Sequence, residues 1–166
     1  MTLLLSIQSE LNKTPSSLAT LALIVSWLEY EDLDIQDELD SFNQLHSVLV
    51  SRLKKDSPIL EKLNEISEYL FFELGFSGDV DNYYDPKNSF INEVLNRRKG
   101  IPITLAILYM ELASRLGIIV EGIGMPGHFL VGAYDESEKY YVDVFNKGIV
   151  VNKEAVSYTH LRAHET

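Results

Sequence analysis

The stretch NRRKGIPITLAILYMELASRLG, residues 96–117, decides how the rest of the chain is read. Gly100 and Pro102 stand at its start, and proline suits a first helical turn because its missing N–H would have no intrahelical partner there. Gly117 stands at its end, where a residue free to turn left-handed closes a helix at no steric cost. Between them Leu105, Leu108, Leu112 and Leu116 recur at helical spacing, and Ala106 and Ala113 permit close packing. Apolar residues occupy nearly the whole circumference, with Glu111 and Arg115 as the main exceptions. The pattern predicts a central helix buried on most sides.

Downstream, residues 118–124, 128–134 and 139–145 read as three strands, with 149–151 a short fourth and the polar segment 135–138 a turn. If Tyr134 faces Lys139 across that turn, His128 faces Phe145 and Asp143 lies on the diagonal, on the same face of the sheet. A diagonal of roughly 7 Å lets a carboxylate reach an imidazole, orient it and raise its basicity. A one-residue bulge would break the pair.

Upstream the chain reads as helices. Thr14 and Pro15 look like an N-cap followed by proline at the first helical position, ahead of Leu18, Leu21, Ile24, Val25 and Leu28 in a buried helix. Asp34 caps the next, with Ile35, Leu39, Phe42, Leu45, Leu49 and Leu53 along one face. Ser57 and Pro58 repeat the cap-and-proline device, and Leu60, Leu63, Ile66, Leu70 and Leu74 lead to a stop at Gly75. The segment GFSGDVDNYYDPKN, residues 75–88, marks an ordered loop. Asp79, Asp81, Asn82 and Asp85 invite a calcium reading, but their spacing lacks the glycine and distal glutamate of an EF-hand; turn-forming and capping roles are the alternative. Asn88 or Ser89 starts a short helix with Phe90, Ile91, Val94 and Leu95 inward and Glu93 supporting Arg97. Arg97, Arg98 and Lys99 complement the negative end of its dipole or, alternatively, form an anion site.

The fold class expected is α+β: a helical N-terminal region, 1–76, then a core, 77–155, in which a small antiparallel sheet packs on the central helix, the two forming one compact unit. With 166 residues, 46% hydrophobic and 23% charged, the chain has enough material for one domain with a real core. The longest apolar run, residues 18–28, is interrupted by Thr20 and Ser26 and falls short of the roughly 20 residues a bilayer requires. The N-terminus has no basic segment before its leucines, so a cytoplasmic location is expected. A net charge of −11 opposes nucleic acid and anionic membrane surfaces as partners. Seven acidic residues between 29 and 40 meet no basic one, which suits a solvated helix start or a docking patch for a basic partner. No feature sets an oligomeric state.

The chain has no cysteine, which excludes disulfides, thiolate metal sites and a thiol nucleophile together. A cysteine acyl-transfer site places its thiol at the N-terminus of a buried helix and takes its histidine from a neighbouring sheet. The corresponding turn here is Ile101, Pro102, Ile103, Thr104, and only Thr104 carries a nucleophilic atom, which would depend on His128 as base. The alternative is that Thr104 satisfies backbone donors and His128 is a hydrogen-bonded core histidine.

The segments YYDPKNSFINEVLNRRKGIPITLAILYMELASRLG (83–117), EGIGMPGHFLV (121–131) and VDVFNKG (142–148) resemble the bacterial SirB-type transglutaminase-like family, whose members join this domain to C-terminal tetratricopeptide repeats. The resemblance covers roughly residues 70–151. It implies a papain-type fold in which the motif Gly-x-Cys-x-x-x-Ala falls on Gly100, Pro102 and Ala106, so that Pro102 occupies the nucleophile position. The partner histidine and aspartate fall on His128 and Asp143, and Asn88, Gly100, Pro102 and Gly127 are expected to line the pocket. No cofactor and no metal is implied. The expected role is a binding or regulatory module for a protein or peptide partner, without classical cysteine chemistry. The rival is acyl transfer or amide hydrolysis through Thr104 or a water activated by His128. The C-terminal VSYTHLRAHET, residues 156–166, resembles a translated sequencing-adapter tail, the alternative being a natural polar tail. If it is an adapter, His160 and His164 are not a metal site.

Overall fold

The computed structural model describes residues 2–14 and 16–152. Pro15, the tail 156–166 and its His160 and His164 lie outside the described residues.

Helices α1 (Leu3–Leu11), α2 (Leu18–Trp27), α3 (Ile35–Arg52) and α4 (Ile59–Ser67) come first. The cap of α2 is Ser17 rather than Thr14: the Thr20 N–H donates to the Ser17 hydroxyl at 3.1 Å. The buried face of α2 is Ala19, Leu23 and Ile24, while Val25 and Leu28 are exposed, so its apolar spacing misstates which side meets the core. Asp34 caps α3 as expected, accepting from the Gln36 and Asp37 N–H groups. Ser57 does not cap α4; its hydroxyl accepts from the Lys54 N–H at 3.1 Å, inside the preceding turn. Leu60 is exposed, and Leu63 and Ile66 carry the buried face. A π-helical turn, Glu68–Glu73, then extends α4, and the chain leaves it through Gly75 at φ +76°.

The loop that follows contributes a two-residue strand β1 (Ser77–Gly78) and a 3-10 turn (Pro86–Ser89) before α5 (Ile91–Arg97). Asn88 lies in that 3-10 turn, which Asp85 caps, so α5 begins after Phe90 and not at Asn88 or Ser89. Strand β2 (Lys99–Gly100) pairs in parallel with β1, Ser77 opposite Lys99 and Gly78 opposite Gly100, and ties the loop to the start of α6 (Pro102–Arg115). Gly117 has φ +80° and ends the helix as its position requires.

Strands β3 (Ile119–Met125), β4 (His128–Tyr134), β5 (Lys139–Asp143) and β6 (Ile149–Asn152) form an antiparallel sheet in sequence order. The expected register is observed, with Tyr134 opposite Lys139 and Val131 opposite Val142. The third strand stops at Asp143, and Val144–Asn146 is a 3-10 turn.

Along β4 the side chains alternate: Phe129, Val131 and Ala133 join the core built on α6, while His128, Leu130 and Gly132 take the other face. Leu105, Leu108, Tyr109 and Leu112 of α6 are fully buried among Leu23, Phe42, Leu63 and Ile66 on one side and Val131, Val142 and Val144 on the other. Tyr109, the largest fully buried side chain, donates to the Leu63 carbonyl at 2.7 Å and lies 3.1 Å from the Ser67 hydroxyl, which itself donates to the Gly148 carbonyl. Burial drives the Tyr109 phenol well above its ordinary pKa, so it remains a neutral donor.

Candidate functional site

His128 opens β4 directly after the turn Pro126-Gly127, where proline presets φ and Gly127 takes φ +69°, a conformation that favours glycine. Asp143 closes β5. Its Oδ1 accepts from the Asn146 N–H at 3.1 Å and caps the 3-10 turn, while its Oδ2 lies 3.0 Å from His128 Nε2. One carboxylate oxygen is therefore anchored to backbone and the other holds the ring. The pair is partly open, with side-chain exposures of 35% for His128 and 21% for Asp143. Because Nε2 is engaged, Nδ1 is the ring nitrogen left to accept or donate; it has no partner among the described residues.

Thr104 is 3% exposed. Its hydroxyl accepts from the Ile101 N–H at 3.1 Å and donates to the Asn88 carbonyl at 2.8 Å, the nearer of two carbonyls. It makes no hydrogen bond to His128. A threonine whose only proton is committed to a buried carbonyl is a helix-start lock. Pro102 takes the first helical position, partly buried, and contributes neither a thiol nor an N–H.

Gly100 is buried, and a Cβ there would sit 2.9 Å from Thr104 Oγ1 and 3.2 Å from Leu105 and Val94. Asn88, fully buried, donates from Nδ2 to Asp79 Oδ2 at 3.0 Å and to the Asn82 carbonyl at 2.9 Å, and accepts from Arg97 at 3.2 Å. Its amide and its carbonyl thus bind the loop to the first turn of α6. Gly127 is an exposed turn residue beside His128.

The structure brings together a second group that spacing did not reveal. Arg97 reaches Asp79 at 3.5 Å and Asp85 at 3.7 Å, and not Glu93. Asp79 is held below the usual carboxylate range, first by the Asn88 amide and then by the Asn82 N–H and the charges of Arg97 and Lys99, against an opposing effect of burial. The side chains of Asp79, Asp85 and Asn88 in this loop are spent on turns, a cap and ion pairs with Arg97. Among the described residues no three His, Asp or Glu side chains are placed to hold a metal ion. The only signal available beforehand was the loop's density of Asp and Asn, which marks turns without naming partners. Phe145, two residues after Asp143, lies over Gly78, where a Cβ would collide with its ring, and its centroid is 6.1 Å from that of Tyr83.

A profile of the Transglutaminase-like superfamily matches residues 34–166. The chain belongs to that superfamily. It is 41% identical to a UPF0162 protein of Xylella fastidiosa over 132 residues, 79% of this chain and 47% of that protein. A UPF0162 protein of Vibrio cholerae is 45% identical over 83 residues, 49% of this chain and 31% of that one. The F-box only protein 21 of Mus musculus is 33% identical over 124 residues, 66% of this chain but 20% of its own length. The chain spans about half the length of the Xylella relative. No solved structure matches. This transglutaminase-like chain contains no cysteine at any position, and among its described residues no helix is long and apolar enough to cross a membrane.

Proposed function

We propose that this transglutaminase-like domain acts as a non-catalytic binding or regulatory module whose contact point for a protein or peptide partner is the His128–Asp143 pair. The observation that carries the reading is the 3.0 Å pair, oriented through the Asn146 backbone, in a chain with no thiol to activate. A papain-type triad needs its nucleophile at the start of the buried helix. By the family resemblance Pro102 stands there, and the nearest hydroxyl, Thr104, is locked to Asn88. What remains is an imidazole with Nδ1 free to take a hydrogen bond from a ligand or give one to it, and a carboxylate that fixes its orientation.

The test is affinity capture with the wild-type chain beside His128→Ala and Asp143→Ala, each checked by urea unfolding. The expected outcome is a partner retained by the wild type and lost by both variants, with stability changed by no more than about 1 kcal/mol, as befits one partly exposed hydrogen bond. Equal capture by all three would assign the pair to packing alone.

A second reading, amide hydrolysis or acyl transfer, draws on the same free Nδ1 acting as base toward water. It predicts turnover of a glutamine-amide peptide that survives Thr104→Ala and disappears in His128→Ala.

A further inference from the structure

A cavity of about 430 Å³ lies between α3, the π-helical turn and the C-terminal end of α5. Its apolar wall includes Leu45 and Val48 of α3, Phe76 and Leu95. Glu38 and Arg98 line the same cavity. They do not pair with each other: Glu38 makes no side-chain hydrogen bond or ion pair among the described residues, and Arg98 spends one guanidinium nitrogen on the Leu74 carbonyl at 2.6 Å with no carboxylate partner. Burial, and secondarily Asp37, raise the Glu38 carboxyl above its ordinary range, as expected of an acid with no cation to balance it.

The backbone around the cavity is unusual in two places. One wall is the π-helical turn, whose Tyr69 and Leu74 line it. Arg98 holds φ +58°, a conformation that costs a non-glycine side chain on the order of 1 kcal/mol. π-turns are frequent at functional sites; the left-handed residue Arg98 is the C-cap of α5, its N–H bonded to the Val94 carbonyl.

We propose that this cavity binds a short peptide with free ends and apolar side chains, its ammonium on Glu38 and its carboxylate on Arg98. Opposite charges that share a cavity but not a salt bridge leave room for a ligand carrying both complementary ends. The apolar wall between them suits aliphatic or aromatic side chains. The site shares no residue with the His128–Asp143 pair and does not rest on the function proposed for it.

The experiment titrates the full chain with the dipeptide Leu-Phe, its N-acetyl form and its C-terminal amide, followed by amide-correlation NMR. Saturable shifts at Leu45, Val48 and Leu95 with the free dipeptide are expected, each blocked peptide binding about tenfold more weakly, the loss of one charged hydrogen bond. Glu38→Gln should weaken the free dipeptide by a similar factor while leaving the N-acetyl peptide unchanged. Arg98→Gln should do the same relative to the amide. Glu38 is partly exposed on a long helix, so its variant carries the test even if the Arg98 variant fails to fold. Absence of saturable shifts, or equal affinity for free and blocked peptides, would overturn the proposal.

Discussion

Asp79 holds the loop ahead of α5 by hydrogen bonds and charge together. Its partners, Asn88, the Asn82 N–H and Arg97, all favour the ionised form. Because its pKa in the folded chain is depressed, its contribution to stability is fully present above the ordinary carboxylate pKa and is lost as pH falls through the lower folded value. Asp79→Asn should therefore destabilise the protein near neutral pH, and the gap from wild type should narrow as pH drops below about 4. Urea unfolding at a series of pH values measures this; a gap independent of pH would mean that the charge of Asp79 does not matter. At the same scale, the pairing of His128 with Asp143 was legible in the sequence because hairpin register is arithmetic once the turn is placed. That the Thr104 oxygen accepts a backbone N–H at the helix start was also legible, but the acceptor of its proton was not, since that is a backbone carbonyl sixteen residues away.

Glu111 shows what joins one element to another. It is 6% exposed in the middle of α6, and in the apolar pattern it looks like an exception to burial. Its carboxylate in fact reaches across to the start of α2, accepting from the Ala19 N–H at 3.1 Å and the Ser17 hydroxyl at 3.2 Å, while Arg115 donates to it from the next turn at 2.8 Å. It thus satisfies a first-turn N–H that α2 cannot satisfy itself. Glu111→Ala leaves that N–H without its acceptor and Arg115 without its carboxylate, and should cost about 2–3 kcal/mol in urea unfolding, less than a fully buried pair because Arg115 is partly exposed. Glu111→Gln, which keeps an acceptor for Ala19, should recover part of the loss. The same contact explains why the cap of α2 is Ser17 and not Thr14: the helix begins where it docks on α6. The β1–β2 ladder likewise carries no local signature, because each strand depends on a partner distant in sequence.

At the scale of the molecule, 25 acidic residues against 14 basic ones leave the folded chain repelling itself. Among the described residues several ion pairs, those of Arg52 and Lys139 among them, are exposed, so screening should relieve more repulsion than it costs in attraction. Raising sodium chloride from about 20 mM to about 0.5 M at neutral pH should lift the thermal midpoint by a few degrees. A fall instead would mean that the ion pairs of Arg52, Arg97 and Lys139 outweigh the net charge. One hydrophobic core serves helices and sheet alike, and it is laid out around α6.

Local order was enough to establish that central helix, the four strands of the larger sheet and the register of the β4–β5 hairpin, the cap at Asp34, the stops at Gly75 and Gly117, and the lack of any thiol. These features follow from periodicity, turn chemistry and composition, which act over a few residues. Long-range contact settled the rest: Ser17 and Glu111 at the start of α2, Arg97 turned toward Asp79 and Asp85, the Thr104 proton given to Asn88, and the cavity that holds Glu38 and Arg98 apart. A buried polar group takes whichever partner the packed core brings within about 3 Å, and no spacing along the chain encodes that choice.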